Sequence, residues 1–391
     1  MNQNPLLIRL GSLLFIVFTS LTLFAQRSKT PVEEETQIKA LKFKQVVLVP
    51  HNLQVGGTTL GGLSGIDYNP DKDEYYFICD DRSNINPVRF YTAKIKWAGD
   101  SISAVNFTDA TILKRPNGDT FPGYYKNARM AVDPESMRYN RQTRQFVWAS
   151  EGDNAKDRSG NVVNQVDPAI YMADSTGMTK DSLEMPQLVR MAMRSDVPRE
   201  NGVFEATAFS KDFKKLFVSV EEPLVQDGPQ VDTYPQDTYL RFFRFDMTTK
   251  QNDAQWAYMP DPIPYIASPP NGYKVNGVSE IAYLGNNNFL VVERSFVTGR
   301  GFGAKIFLAN SRYASSVFGI NSLVTEPPFS TMTKKLLFDT KDLAPQYIDN
   351  IEGITVGPKL SNGHYSLLLV TDNNFTSEER TQIFLLEIIP N

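Results

Sequence analysis

The stretch Asn350-Ile351-Glu352-Gly353-Ile354, followed by the run Leu367-Leu368-Leu369-Val370-Thr371-Asp372-Asn373-Asn374, sets the pattern of this sequence. It reads as a glutamate at the start of a short apolar strand, a turn, and a second strand that ends in an acid. Short apolar runs that are bounded by turn residues are typical of antiparallel hairpins. We therefore interpret the stretch as one hairpin with an acidic end.

The same sequence motif occurs four more times upstream, with Ser in place of Glu in the first copy. The residues at the first strand are Ser64, Glu135, Glu205, Glu280 and Glu352, and the acids that end the second strand are Asp80, Glu151, Glu221, Glu293 and Asp372. The first set is separated by 71, 70, 75 and 72 residues. The closing acid follows 16 residues later in three copies, then 13 and 20. A near-constant period of this kind indicates a repeat architecture.

Each of the first four repeats contains about four strand-like segments, whereas the fifth contains three, the last of which is 382–389. The chain then ends one strand short, and the early strand 42–50 is left over. If that strand joined the last sheet, it would remove an open edge. The sequence therefore predicts an all-β fold: a single β-propeller of five four-stranded blades, closed by the N-terminal strand. A six-bladed propeller stays open as the alternative.

The N-terminus predicts export. Residues 1–25 contain one charge, Arg9, before an apolar run, which is typical of a secretory signal peptide. A membrane anchor is the alternative, although the run is shorter than the roughly 20 residues that a span needs. We interpret 26–41 as a linker and 42–391 as the propeller domain, a monomer in the periplasm or outside the cell with no stable membrane span after cleavage.

Composition excludes some partners and cofactors. The net charge of −4 offers no basic face for a nucleic acid. Cys79 is the only cysteine, so no internal disulfide can form, and its apolar strand predicts a buried side chain. Stability must then come from packing, with or without a bound metal.

The repeat brings acids together. The first strand of each propeller blade lines the central channel, and the second strand runs back beside it, so both acidic positions fall at one mouth. Crowded carboxylates raise one another's pKa values, and a cation relieves the repulsion. Oxygen ligands with only two His favour Ca²⁺ over Zn²⁺. The predicted metal ligands are Asp80, Glu135, Glu205, Glu280 and Glu352. Alternatively, each Glu bonds backbone N–H groups of the next blade.

Four arginines near these phrases are candidates for binding an anionic substrate: Arg82, Arg129, Arg294 and Arg300. Arginine grips phosphate or carboxylate oxygens in a bidentate manner. Each could instead form a salt bridge with an adjacent acid. Glu151 and Asp372 are the candidate general bases. Because there is no Gly-x-Ser-x-Gly motif, a metal-activated water is the economical hydrolytic mechanism.

The sequence resembles the bacterial phytase-like family, which is described as having esterase-like activity. The resemblance covers nearly all of residues 42–390 and rests on five motifs: Gly61–Ile66, Asp133–Ser136, Phe204–Ala206, Asn350–Ile354 and Val370–Phe375. It implies a propeller that bears repeated Glu and Asp residues and hydrolyses phosphoric esters with calcium. Ser64 departs from the ring pattern.

These observations favour an exported, calcium-dependent phosphoric ester hydrolase that acts on a small phosphate ester. Two alternatives remain. One is a non-catalytic cell-surface or periplasmic propeller that binds a glycan or protein and holds structural calcium. The other is a metal-dependent lactonase or carboxyl esterase. Fold alone decides none of them.

Overall fold

The computed structural model describes residues 38–191, 198–199, 201–325, 328–344 and 346–391. The predicted signal peptide and most of the predicted linker lie outside these residues. The described chain forms five four-stranded antiparallel sheets, which are the five blades of a β-propeller. The predicted fold and blade number are confirmed.

Strands are numbered in chain order. Before the first blade come β1 (Ile38–Leu48) and a small hairpin, β2 (Gln54–Val55) and β3 (Thr58–Thr59). Blade 1 contains β4 (Leu63–Asn69), β5 (Glu74–Cys79), β6 (Arg89–Ala98) and β7 (Ser101–Ile112). Blade 2 contains β8 (Pro134–Asn140), β9 (Gln145–Ser150), β12 (Ala169–Ala173) and β13 (Thr179–Ser182), with an inserted hairpin of β10 (Asp153–Lys156) and β11 (Val162–Val166).

Blade 3 contains β14 (Phe204–Phe209), β15 (Lys215–Val220), β16 (Leu240–Asp246) and β17 (Gln251–Tyr258). Blade 4 contains β18 (Lys274–Gly285), β19 (Asn288–Val297), β20 (Gly301–Asn310) and β21 (Thr333–Asp339). Blade 5 contains β22 (Asn350–Lys359), β23 (Tyr365–Asp372) and β24 (Gln382–Pro390).

The helices are short: α1 (Tyr124–Asn127) and the 3-10 turns Ala128–Met130, Gln187–Val189, Val225–Asp227 and Thr340–Leu343. None of the helices in the described part of the chain has the length and apolar character needed to cross a membrane.

The N-terminal strand closes the ring, as predicted. β1 pairs antiparallel with β24, from Ile38 opposite Pro390 to Leu48 opposite Gln382, so the last blade takes strands from both ends of the chain. β1 begins at Ile38, four residues before the predicted start and inside the segment interpreted as a linker. As a result β24, which would otherwise be an open edge, is paired on both sides.

The apolar core lies between the blades. The inner strands β14 and β18 are buried along nearly their whole length, whereas the outer strand β7 is mostly exposed. One apolar cluster joins blades 2, 3 and 4, and three others join blades 4 and 5, 5 and 1, and 1 and 2. A strand that packs on both faces needs a continuous apolar run, which is what the inner strands supply.

Every inner strand carries a register irregularity at the repeated phrase. The pairing shifts between Leu63 and Gly65, Pro134 and Met137, Phe204 and Ala206, Val278 and Glu280, and Ile351 and Gly353. A β-bulge bends its strand and re-aims a side chain. The residues at the bulges are Ser64, Glu135 with Ser136, Glu205, Ser279 and Glu352.

In the fourth blade the repeat is shifted by one residue from the position that the sequence predicted. Val278 is the last paired residue before the bulge of β18, and it pairs with Glu293. Phe204 holds the same position in β14, and it pairs with Val220. Ser279, not Glu280, is therefore the counterpart of Glu205. By the same pairing Arg294, not Glu293, is the counterpart of Glu221.

Glu280 points into the channel, where it pairs with Arg138. The guanidinium lies 2.6 Å from a Glu280 carboxylate oxygen and also donates to the carbonyls of Ile66, Met137 and Ile281 at 2.9, 2.9 and 3.0 Å. Glu280 accepts from the Ser136 hydroxyl and the Thr207 N–H. With a longer Arg138 contact to the Ile354 carbonyl, this one pair touches the inner strands of all five blades.

Glu280→Gln is expected to lower the free energy of unfolding by about 3 kcal/mol, because it leaves the Arg138 charge buried without its closest counter-ion. Equilibrium urea denaturation measures the change. The control is Arg141→Gln, since Arg141 pairs with Asp71 at the surface at 3.6 Å and should contribute less than about 1 kcal/mol. Equal stabilities for the two variants would show that the channel pair does not hold the blades together.

Candidate metal centre at the propeller mouth

The starts of the inner strands and the ends of their partners enclose a cavity of about 390 Å³, which we call the mouth. Among the residues that the structure describes, its walls contain ten carboxylates and two arginines, Arg82 and Arg294. The carboxylates belong to Asp80, Asp133, Glu135, Glu151, Glu205, Glu221, Glu222, Glu352, Asp372 and Glu379. The mouth is therefore strongly acidic although the whole chain is nearly neutral.

Two groups of three carboxylates are close enough to share a cation. Asp80, Asp133 and Glu135 each place an oxygen within 4.8 Å of the others, and so do Glu135, Glu151 and Glu205. Glu135 belongs to both groups, so the two form one continuous cluster. Of these side chains only Asp80 is half-buried, and the other four are buried.

Several oxygens of the mouth lack a hydrogen-bond partner. Asp133 Oδ1, Glu205 Oε2 and Asn350 Oδ1 are buried and accept no hydrogen bond from the described protein atoms. A buried acceptor without a partner is costly, and such atoms are rare in folded proteins. A cation with oxygen ligands would satisfy them, so the residues present fit a hard metal ion.

Burial and mutual repulsion shift the pKa values of four acids of the mouth upward. Burial first, and then the neighbouring Glu205 and Asp80 carboxylates, hold the pKa of Glu135 well above its ordinary range. Burial likewise raises the pKa values of Asp80, Glu151 and Glu205. Without a cation, these groups retain protons at pH values where free carboxyls would have lost them.

Three further acids of the mouth also have raised pKa values. Burial raises the pKa of Glu352 to about 8, with Asp372 adding to the rise and Arg294 opposing it. Burial also raises the pKa values of Asp372 and Glu222 to about 7. Asp372 accepts from the Asn374 N–H at 2.8 Å, which opposes part of its rise.

Arg294 reaches the mouth from blade 4. Its guanidinium lies 2.7 Å from Glu221, 3.3 Å from Glu352 and 3.9 Å from Glu205. It stands where the other blades have an acid, which is the direct result of the one-residue shift in this blade. Arg294 thus neutralises part of the ring and leaves the acids of blades 1 and 2 with less compensation.

Arg82 lies at the opposite wall. It pairs with Asp133 and donates to the Asn201 side-chain oxygen at 3.3 Å, and its guanidinium lies 5.6 Å from the centre of the Tyr124 ring. About a quarter of the side chain remains exposed, so an incoming anion can reach it.

The structure brings most of the predicted site residues together and separates three. Asp80, Glu135, Glu205, Glu352, Glu151, Asp372, Arg82 and Arg294 all line the mouth. Glu280 does not, because it is one residue past the bulge and pairs with Arg138 in the channel. Arg129 is exposed on a 3-10 turn, and Arg300 is exposed over the Tyr265 ring, where it lines a neighbouring cavity.

Asp133 and Glu221 are mouth residues that the predicted ligand set missed. Asp133 directly precedes β8 and belongs to the motif Asp133-Pro134-Glu135-Ser136, so the sequence had already marked it. Glu221 occupies the same position in its blade as Glu151, as the repeat itself indicated.

The model of the family described as "Phytase-like: Esterase-like activity of phytase" matches residues 58–375 of the chain. No curated protein matches the sequence.

Three solved structures have similar folds at low identity. A GH43 β-1,3-galactosidase with galactodeoxynojirimycin is 10% identical, with 86% of this chain and 94% of that chain covered and a TM-score of 0.45. An exo-β-1,3-galactanase from Phanerochaete chrysosporium is 12% identical (87% and 64% covered, TM-score 0.41). The α-L-arabinanase of Cellvibrio cellulosa is 9% identical (84% and 91% covered, TM-score 0.41).

The metal-free protein is expected to lose stability as the pH rises from about 5 to about 8. The folded pKa values of Glu352, Asp372 and Glu222 lie above the ordinary value, so the folded state holds protons that the unfolded state releases in this window. Thermal unfolding in the presence of a chelator measures the fall, and added Ca²⁺ should reduce it. A melting temperature that is constant or rises across this range would contradict the prediction.

Proposed function

Since this chain belongs to the phytase-like family, we propose that its mouth is the active site of a calcium-dependent phosphoric ester hydrolase. The family description and the propeller fold support a hydrolase. The residues of the mouth support the proposal that the hydrolase depends on calcium and cleaves phosphoric esters. The observation that carries the proposal is the cluster of five close carboxylates with two unpartnered buried oxygens, Asp133 Oδ1 and Glu205 Oε2.

The residues that would hold the ion are Asp80, Asp133, Glu135, Glu151 and Glu205. All five offer carboxylate oxygens, and neither His nor Cys lines the mouth in the part of the chain that the structure describes. Hard oxygen donors suit Ca²⁺ better than Zn²⁺. When bound, Ca²⁺ would supply positive charge for a phosphoryl oxygen and lower the pKa of water in the site.

The two arginines of the mouth would bind the anion. Arg82 is on the same side as the metal cluster through its contact with Asp133, and Arg294 is on the other side through Glu221 and Glu352. Guanidinium groups match the geometry of phosphate oxygens. We propose that a small phosphate ester binds between these two arginines in the mouth.

Asp372 is the better candidate of the two proposed general bases. Glu151 belongs to the carboxylate cluster, where it would be a ligand of the ion. Asp372 lines the mouth outside both groups of three, and its pKa of about 7 suits proton transfer near neutral pH. Its carboxylate would take the proton of the attacking water.

We also propose that the protein acts outside the cytoplasm. This step rests on residues 1–25 alone, whose composition is that of a signal peptide. Extracellular calcium would then suffice to load a site of modest affinity.

Glu135→Gln is expected to weaken Ca²⁺ binding by at least about tenfold, because Glu135 is the one residue shared by both carboxylate groups. Turnover of p-nitrophenyl phosphate or bis(p-nitrophenyl) phosphate should fall with it. Isothermal titration calorimetry and the chromogenic assay measure the two effects. The matched control is Glu378→Gln, an exposed residue of the β23–β24 connection.

Three results would count against the proposal. If neither phosphate is turned over with calcium but calcium raises the melting temperature strongly, the propeller is a binding module with a structural ion. If p-nitrophenyl acetate or a lactone is hydrolysed instead, the protein is a carboxyl esterase or lactonase. If turnover persists in chelator, the reaction needs no metal.

Arg82→Gln is expected to raise KM for the phosphate by about tenfold, through loss of a charge-assisted hydrogen bond, with a smaller effect on Ca²⁺ affinity. The control is Arg129→Gln, whose guanidinium is exposed away from the mouth and which should leave both quantities unchanged. Steady-state kinetics in saturating calcium measure KM and kcat separately. An equal effect of the two substitutions would remove Arg82 from the substrate site.

A further inference from the structure

The channel opens into a second concavity on the side away from the mouth, and we propose that this lower cavity binds a carbohydrate unit. The cavity has a volume of about 600 Å³. It is built where the five inner strands end, and the Arg138–Glu280 pair lies between it and the mouth. It is therefore separate from the proposed catalytic site.

Aromatic side chains occupy one repeated position around the lower cavity. The residue four places after the bulge is aromatic in blades 1 to 4, and all four side chains are half-buried and line the cavity: Tyr68, Tyr139, Phe209 and Tyr283. Val356 holds the same position in blade 5. The repetition places apolar rings around most of the circumference.

Each of these rings is held by a second aromatic ring beneath or beside it. Ring centroids lie 4.7 Å apart for Tyr68 and Tyr75, 4.9 Å for Tyr139 and Phe146, 5.4 Å for Phe209 and Phe213, and 4.7 Å for Tyr283 and Phe217. Such pairs fix the rings at little further entropic cost to a ligand. The walls are pre-formed.

Polar groups form the floor, one residue before the aromatic position. Asp67, Arg138 and Thr355 lie at equivalent positions in blades 1, 2 and 5. One Asp67 oxygen accepts from the Tyr139 N–H at 2.8 Å, which fixes the orientation of the carboxylate. The floor thus offers a carboxylate acceptor and a hydroxyl, whereas the terminal N–H groups of Arg138 are already bonded to Glu280 and to backbone carbonyls.

This combination fits a polyhydroxylated ring better than an ion. The Arg138 charge is balanced by Glu280 at 2.6 Å, and the Arg141 charge at the rim is balanced by Asp71 at 3.6 Å. The described lining contains one further cation, Lys211, and one further carboxylate, Asp67, so neither sign of charge is in excess. A carboxylate and a donor group bond neighbouring hydroxyls, while aromatic faces pack against the C–H faces of a sugar. A mostly apolar cavity with a few fixed polar groups is the usual form of a small-molecule site.

Saturation-transfer NMR on the mature, calcium-loaded chain tests the proposal with maltose, cellobiose, lactose and, as a flat aromatic comparison, adenosine. We expect at least one disaccharide to bind. Asp67→Asn and the nearly isosteric Thr355→Val should each weaken its affinity, the former by about tenfold. Asp109→Asn, an exposed change on β7, is the matched control, and melting temperatures confirm that each variant is folded.

Failure of all three disaccharides to bind the wild-type chain overturns the proposal. So does disaccharide binding that both floor variants leave intact, because the sugar would then occupy another surface. Binding of adenosine alone assigns the cavity to aromatic rings and likewise overturns it. None of these results depends on phosphatase activity, so the proposed function can fail or stand independently.

Discussion

The ion pair between Arg138 and Glu280 is the contact on which the geometry of the propeller axis depends. Five inner strands converge there, and the space between them is so narrow that only one long pair fits. The equivalents of Glu280 in three other blades are Gly65, Ala206 and Gly353, and a Cβ on Gly353 would lie 2.9 Å from the Ile66 nitrogen. A buried pair of this kind is weak evidence for net stability, but its hydrogen bonds fix the register of every strand that it touches.

That pair also divides the channel into two environments. Above it the bulges turn carboxylates toward one mouth, where the described acids outnumber the described arginines ten to two. Below it the same strands present aromatic rings and a balanced set of charges. The bulge reverses the alternation of side-chain faces along each inner strand only on the mouth side. The same five strands therefore have two chemically different ends.

The fold could be predicted because its information is spread over the whole chain. Five copies of one motif and the missing twentieth strand favoured five blades over the alternative of six and indicated closure by the N-terminal strand, and no single residue had to be right. The site depends on single residues. In Val278-Ser279-Glu280 two adjacent polar residues could fill the bulge, and only the pairing of Val278 with Glu293 decides that it is Ser279. Arg129 and Arg300 lie outside the mouth for a related reason. Each is near an acid in sequence, but Arg129 is on a 3-10 turn and Arg300 is at a hairpin tip, and neither position brings the side chain back to the propeller axis.

The one-residue shift of the repeat in blade 4 makes the mouth asymmetric. Five acids in a symmetric ring would attract a cation but repel any anion that approached it. With Ser279 in the bulge and Arg294 in place of an acid, one side of the ring carries a positive charge that Glu221, Glu205 and Glu352 share. Asp133 Oδ1 at blade 2 and Glu205 Oε2 in blade 3 accept no hydrogen bond from the described residues and are left for a cation. The phosphate ester that we propose as substrate would need both signs of charge in one site, and the one-residue shift in blade 4 is the feature that supports this proposal.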